Sequence, residues 1–390
     1  MRPPAVALVT GAFSPEISSG GQQSRDVARA LADRFEFHVV TTAVDPSLPA
    51  EAQVDAVSVH RIHIDVRSRR SRLRATWRLA SVLVSLRRRG VCLVHLHGIS
   101  SKNIVVGWCA RWLGLKVVVT LHTSGQDEPA AVRARSQAEY RSLVAADRVM
   151  SISPHLSQRY LEAGLDPRRL VKAFNGVDTA RFRPAGEDER AALRRELGLP
   201  DGPMVLFVGF FGPDKRPDVL LEAWSLVRAT GRYASLVFVG ATSSLYFEVD
   251  GGLATKMASR AEQLGLTAGL RFVAPTPDVD RYFRAATIYA LPSVREAMPM
   301  ALLEAMSCGL PCVASRLPGA TDVMIEDGRN GRLVTPDAPA DLAAVISGWL
   351  DDPAAGLAVG RAARETVESR YAISRAAEVW SEVYRQVLEA

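Results

Sequence analysis

Residues 295–311 read REAMPMALLEAMSCGLP. Two glutamates, Glu296 and Glu304, stand eight residues apart around a short apolar run that meets stop signals at Gly309 and Pro311. Pro299 suits the first turn of a helix, where its missing N–H has no intrahelical acceptor to lose. This reading puts Glu296 in the loop before the helix and Glu304 inside it. The first-turn amides of a helix attract anions, and carboxylates accept strong hydrogen bonds from hydroxyls. Together they suit a ligand that is both phosphorylated and hydroxyl-rich. Read alone, Glu304 has a second explanation as a solvated carboxylate on an ordinary helix.

Other residues carry weaker signals. Lys215, in DKRPD, reads as a polar helix start, but a cation there opposes the helix dipole, which favours a ligand role. His122 ends the strand-like KVVVTLH and by itself reads as a turn or cap residue. Gly20 and Gly21, in SSGGQQS, lack the GxGxxG spacing of a dinucleotide site, and no GxxxxGK[ST] occurs. Their amides can approach an anion closely, or they are ordinary loop glycines. His95 and His97 alternate onto one strand face with no third ligand in view, so a metal site is not expected. Asp278 and Asp280 open DVDRYFRAA, where acidic residues favour a helix start.

These residues need a scaffold that brings them together. A chain of 390 residues with 48% hydrophobic content can bury two domain cores. Short β-branched runs alternate with helical stretches: AVALVTG, FHVVTT, CLVHLH, KVVVTLH and RVMSIS, then MVLFVG, SLVFVG, LRFVA, TIYALPS and PCVAS. Such alternation implies parallel sheets covered by helices on both faces. The pattern restarts near Asn175 to Pro184, so two doubly wound domains with a cleft between them are expected. Ligands of such sheets bind beyond the carboxyl ends of the strands.

The four cysteines, Cys92, Cys109, Cys308 and Cys312, show no CxxC or zinc spacing and read as free thiols of a reducing cytoplasm. The N-terminal stretch has too short an apolar run for a signal peptide, and no apolar run is long enough to span a bilayer, so a cytoplasmic protein is expected.

In family order, the Gly20-Gly21 loop, VVVTLH, SISPHL, NGVDTARFRP, VLFVG with DKRPDVLLEAW, and LPSVREAMPMALLEAMSCGLPCVAS with EDGRNGRLV resemble glycosyltransferase family 4, retaining enzymes of the GT-B fold. The resemblance runs from about Ala5 to Tyr384, and the spaced glutamates are its most specific part. It implies an α/β, GT-B architecture. Residues 1–178 would be a Rossmann-like acceptor domain, 179–369 a Rossmann-like nucleotide-sugar domain, and 370–390 a helix crossing back to the first. The donor would be a UDP- or GDP-sugar acting as co-substrate, with no other cofactor and no metal. Glu304 would hold the ribose hydroxyls and Glu296 a hydroxyl of the donor sugar. The backbone at Met298, Pro299 and Met300 would face the diphosphate, and Gly20 and Gly21 would line the donor. Lys215, with Arg216 beside it, would neutralise the diphosphate as it departs, where developing charge makes a cation most effective. His122 would stand against the donor sugar.

One position departs from the family, whose usual arginine after FVG is Phe210 here. A charge-assisted hydrogen bond contributes roughly 1.5–3 kcal/mol, and Arg216 or Arg295 could supply it instead. A nucleotide-sugar epimerase and a catalytically silent sugar-nucleotide binder are the rival readings. No clear proton-abstracting base supports the first, while Phe210 keeps the second open.

Charge is unevenly spread. From residue 66 to 126 there are twelve Lys/Arg and no Asp or Glu, against a net charge of +6 for the whole chain. Nine of the twelve are arginines between Arg67 and Arg89. That local concentration points to an anionic ligand or surface and away from a uniformly basic nucleic-acid binder. Leu73, Trp77, Ala80 and Val84 fall at helical spacing. Either that stripe packs on the sheet, or it lies on an anionic membrane. A phosphorylated acceptor would also account for the charge. The acceptor itself, by resemblance, is a glycan, lipid-linked or small-molecule hydroxyl.

Overall fold

The computed structural model describes residues 3–16, 18–55, 57–65, 67–242 and 249–390. Met1, Arg2 and Val66, part of the N-terminal and basic stretches read above, lie outside the described residues. The chain forms two compact units, one of Met1–Gly176 with Ile373–Ala390, the other of Val177–Ala372.

In the first unit, β1 (Ala5–Thr10) is buried at every residue, as a strand covered on both faces must be. α1 (Ser19–Ala30) follows and is capped by Ser18. Next come β2 (Glu36–Ala43), β3 (Glu51–Val54), β4 (Val57–His63), α2 (Arg69–Arg88), β5 (Val91–His97), α3 (Lys102–Leu113) and β6 (Lys116–Leu121). α4 (Pro129–Arg135), α5 (Gln137–Val144), β7 (Arg148–Ser151), α6 (Pro154–Glu162) and β8 (Leu170–Lys172) complete this part. The described strands pair in the order β3-β4-β2-β1-β5-β6-β7-β8. All neighbours are parallel except β3 and β4. The winding reverses between β1 and β5, so the crevice beyond their carboxyl ends is this unit's natural ligand position. Right-handed crossovers put α1 on one face of the sheet and α2 and α3 side by side on the other.

α2 removes one of the two alternatives left open for its apolar stripe, packing on the sheet. The line that packs on the sheet is Ala75, Leu79, Leu83 and Leu86, all buried. Of the Leu73–Trp77–Ala80–Val84 line, Leu73 and Trp77 turn outward, 62% and 73% exposed, while Ala80 and Val84 are half-buried. The helix carries two apolar lines and can seat only one. Three leucines fill a close-packed layer cleanly, whereas a buried tryptophan needs a partner for its N–H.

In the second unit, α7 (Glu187–Glu196), β9 (Met204–Val208), α8 (Pro217–Ala229), β10 (Ser235–Val239), α9 (Leu253–Gln263), β11 (Leu270–Val273) and α10 (Val279–Ala285) come first. β12 (Ile288–Leu291), α11 (Met300–Ser307), β13 (Cys312–Ser315), β14 (Arg332–Val334), α12 (Pro339–Asp351) and α13 (Pro353–Arg370) follow. The sheet order is β11-β10-β9-β12-β13-β14, parallel throughout. Its reversal lies between β9 and β12, so the loops after these two strands share one crevice. Phe207, Phe211, Trp224 and Phe238 are fully buried in the core behind it. At the strand ends Gly240 admits no side chain, because a Cβ there would lie 1.8 Å from the Gly209 carbonyl oxygen.

The chain then re-enters the first unit as α14 (Ile373–Glu389). Trp380 and Tyr384 are buried in the same cluster as Phe35 and Phe37. The Arg34 guanidinium donates to both oxygens of Glu378 at 2.9 and 2.8 Å. No single helix among the described residues is long and apolar enough to cross a membrane.

Candidate active site

The β9 and β12 loops are fastened together. The Val294 N–H donates to the Asp214 carbonyl at 2.8 Å, and the Arg295 guanidinium pairs with the Asp214 carboxylate. Next to this tie, Glu296 Oε1 accepts from Lys215 Nζ at 2.6 Å and from Ser293 Oγ at 2.8 Å. The Glu296 side chain is only 6% exposed and that of Lys215 28%. Spacing predicted a loop position for Glu296, and it occupies one; the lysine partner was not legible from spacing. A buried carboxylate held by an ammonium group keeps both charges in place before any ligand arrives, so little reorganisation is needed afterwards.

Lys215 lies just ahead of the helix start, two residues before Pro217, its N–H bonded to the Gly212 carbonyl at 3.1 Å. Arg216 precedes α8 in a left-handed conformation, φ 48° and ψ 48°. For a non-glycine residue that costs roughly 1–2 kcal/mol. Two carboxylates offset the cost by holding its guanidinium, Asp218 at 3.1 Å and Asp337. Phe210 is half-buried. The cations that could stand in for the missing arginine each hold carboxylates: Arg216 pairs with Asp218 and Asp337, and Arg295 with Asp214.

α11 begins where its signals place it, with Pro299 at the N-cap and Met300 as the first helical residue. Met298 and Met300 are buried. The amides at the start of this helix have no acceptor within it, which leaves an anion-ready end beside Glu296. Glu304 is 4% exposed, among Leu302, Leu303, Ala305 and Met306, all buried. The solvated-helix explanation is thereby removed, since an ionisable residue inside an apolar helix calls for a specific reason. Burial, reinforced by the Glu304 carboxylate, raises the pKa of the Cys308 thiol. The helix stops at Gly309, φ 69°, against Gly360, where a Cβ would lie 2.1 Å from the Gly309 carbonyl oxygen.

The Asp278–Asp280 pair is structural, though not by capping. Asp278 is the N-cap of α10 without a side-chain capping bond. Asp280 instead pairs with Arg181 at 2.9 Å and Arg284 at 3.7 Å.

The first unit holds a separate cluster at its own strand ends. Gly20 and Gly21 lie inside the first turn of α1, where the Gly21 N–H is taken by Ser18 Oγ at 3.0 Å. A Cβ at position 21 would lie 2.3 Å from the Ala12 carbonyl oxygen, so this glycine serves close packing as well. Ser24 Oγ donates to the Gly20 carbonyl at 2.7 Å and lies 3.2 Å from His97 Nε2. His97 Nδ1 lies 3.0 Å from His122 Nε2. The hydroxyl proton of Ser24 is committed to Gly20, so Ser24 accepts from His97 Nε2–H. A neutral His97 must then accept at Nδ1 from His122 Nε2–H. His122 is left with Nδ1 as a lone-pair acceptor, suited to a sugar hydroxyl. His95 takes no part in this chain, being buried between Tyr384 OH at 2.7 Å and Thr120 Oγ1 at 2.6 Å.

Asp127 escaped the sequence reading. Buried at 3% exposure, it accepts from the backbone N–H groups of Ile99, His122 and Thr123 at 2.8, 2.8 and 2.9 Å. It thereby sets the turn that presents His122. The available signal was an aspartate five residues beyond a strand-end histidine, a residue type that binds nearby turn amides.

Burial depresses the His122 pKa from 6.5 to about 4 and moves those of His95 and His97 in the same direction. The folded pKa lies below the unfolded one, so these neutral rings stabilise the fold fully above about pH 6.5. That contribution is lost as the pH falls through 6.5 towards 4. Melting temperatures measured along a pH series are expected to fall over this window. Replacing His122 by Asn should flatten the decline, and an unchanged slope would remove the assignment.

Comparison with known proteins matches this architecture. Residues 189–366 match the family described as glycosyl transferases group 1, and residues 20–181 match Glycosyltransferase Family 4. A D-inositol 3-phosphate glycosyltransferase of Catenulispora acidiphila is 35% identical over 76% of this chain and 71% of its own length. One from Streptomyces avermitilis is 34% identical over 76% and 66%. Among solved structures, Anabaena HepE in complex with UDP-glucose aligns with a TM-score of 0.78 at 19% identity, covering 98% of this chain and 99% of that one. Sucrose-phosphate synthase from Thermosynechococcus elongatus aligns at 0.79 and 21%, covering 99% of each. At those identities the two structures speak to fold alone. The chain belongs to glycosyltransferase family 4 and is a glycosyltransferase of the GT-B fold.

Proposed function

We propose that the protein transfers a hexosyl group, with retention and without a metal, from a UDP- or GDP-sugar to an acceptor hydroxyl. The observation that carries this reading is the Lys215–Glu296–Ser293 cluster at the β9/β12 switch point, next to the anion-ready start of α11. Glu296 would take a hydroxyl of the donor sugar, Glu304 the ribose hydroxyls, and the α11 amides with Lys215 the diphosphate. In the transfer step the bond from the anomeric carbon to the phosphate oxygen breaks and a bond to the acceptor oxygen forms on the same face. The acceptor's proton passes to the departing phosphate, whose growing charge Lys215 offsets. His122, an acceptor at Nδ1, would orient a donor-sugar hydroxyl.

The acceptor is bound by the first unit and is a phosphorylated polyol or a lipid-linked hydroxyl. Two things favour this: the acid-free span from residue 66 to 126, and relatives named for inositol phosphate. The reading includes a cytoplasmic location, consistent with four free cysteines, and peripheral contact of the arginines from Arg67 to Arg89 with anionic membrane.

Incubation with radiolabelled UDP- and GDP-sugars and inositol phosphate tests the proposal. A new α-configured glycoside, identified by NMR, is the expected product. A rearranged sugar nucleotide, or binding without turnover, would overturn it. Glu304→Ala is expected to raise the dissociation constant for the nucleoside diphosphate about 10- to 100-fold, the loss of one charge-assisted contact. Titration calorimetry would detect this, and unchanged affinity would count against the ribose assignment.

A further inference from the structure

The helix layer on one face of the first sheet presents apolar residues to solvent along two adjacent lines. On α2 the line is Leu73 and Trp77, 62% and 73% exposed. On α3 it is Ile104, Trp108 and Trp112, 37%, 68% and 75% exposed, at i, i+4 and i+8. Each line lies opposite its helix's buried side, which is Leu79, Leu83 and Leu86 on α2 and Val106, Cys109 and Ala110 on α3. Arg87 Nε donates to the Leu113 carbonyl at 3.1 Å, which ties the helix C-termini together. At about 1.5 Å per residue back from this tie, Trp77 stands level with Ile104, while Trp108 and Trp112 lie successively nearer the tied ends. The two lines thus lie on neighbouring helices of one layer.

We propose that this α2–α3 face docks on an anionic lipid bilayer, with Trp77, Trp108 and Trp112 entering the headgroup layer and the flanking arginines engaging lipid phosphates. Tryptophan suits that layer because its ring is apolar and its N–H remains hydrated. The partner follows from charge. This part of the chain has twelve basic and no acidic residues, so a second copy would set arginine against arginine, whereas an anionic surface is complementary.

A groove of about 560 Å³ opens beside Trp77, lined among others by Arg61, His63, Arg74, Arg78 and Ser81. Arg61 is 6% exposed, and its Nε has no hydrogen-bond partner among the described residues. The groove is large enough for one phosphate headgroup. This inference extends the anionic-membrane part of the reading above to α3, and it is independent of the transfer chemistry.

Co-sedimentation with vesicles tests it. The protein should pellet with an equimolar phosphatidylcholine–phosphatidylglycerol mixture and stay in solution with phosphatidylcholine alone. Binding should weaken with salt, and tryptophan emission should shift to the blue on binding. The double substitution Trp108→Ala and Trp112→Ala, at exposed positions, should reduce binding at least tenfold. Arg74→Gln and Arg78→Gln should each reduce it about fivefold. Glu296→Gln should bind vesicles like the unaltered protein while losing transfer, which separates failure of this inference from failure of the catalytic reading. Equal binding by the double tryptophan variant, or no binding to mixed vesicles at low salt, would overturn the proposal. So would a dimer in sedimentation velocity that the tryptophan substitutions abolish.

Discussion

Replacing Lys215 by Ala is expected to lower kcat about 100- to 1000-fold, the usual effect of removing one preorganised group that meets developing charge. The substitution also leaves the 6%-exposed Glu296 carboxylate without its cation, so part of the loss can come from rearrangement of the loop. A double-mutant cycle separates the two effects. Lys215→Met and Glu296→Gln each remove one charge at nearly constant volume. If the pair acts as a unit, the double variant should be little worse than the poorer single one. Steady-state transfer assays, with urea midpoints as a fold control, give the answer. A kcat within threefold of the starting value for Lys215→Met would eliminate the leaving-group role.

The second large effect is structural. Tyr384→Ala removes a fully buried ring that packs edge-on against Phe35 at 5.4 Å and bonds His95 Nδ1 at 2.7 Å. The cavity alone should cost about 3–5 kcal/mol, a large share of the 5–15 kcal/mol typical of whole domains. Tyr384→Phe keeps the ring and forfeits only the hydrogen bond, so about 1–3 kcal/mol is expected. Urea unfolding followed by tryptophan emission should report both, since Trp380 lies in the same cluster. Equal midpoints for the two variants would mean that the ring contributes nothing.

The apolar runs named in the sequence all became strands, most of them because a strand buried on both faces must be apolar nearly throughout; β11, at the sheet edge, leaves Arg271 and Phe272 exposed. β4 was not visible in this way. Its Val57–His63 run includes His60, Arg61 and His63, which look like surface residues. Arg61 is buried all the same, its guanidinium donating to the Pro49 and Ser14 carbonyls at 3.2 and 2.7 Å. Those acceptors lie far enough along the chain that no local pattern reveals them. α2 stayed undecided for a different cause: helical spacing identifies apolar lines but not which one meets the sheet.

At the candidate site, the proline, the stop signals and the two glutamates were legible because they act within one short segment. The Lys215–Glu296 pair spans 81 positions and exists only because the sheet reverses between β9 and β12. Asp127 and Ser24 work through backbone groups and a histidine tautomer, which residue types alone do not announce.

The return of α14 also bears on how the protein is made. A ribosome releases the chain from its N-terminus, yet the hydrophobic cluster of the first unit includes Trp380, Val383, Tyr384 and Val387, which are made only after the whole of the second unit. The stretch Val177–Ala372 is contiguous and can complete its own packing earlier. The half encoded second is thus free to mature first. Until α14 has been made, the half encoded first keeps an unfilled apolar seat beside α1, where a chaperone would find its hold.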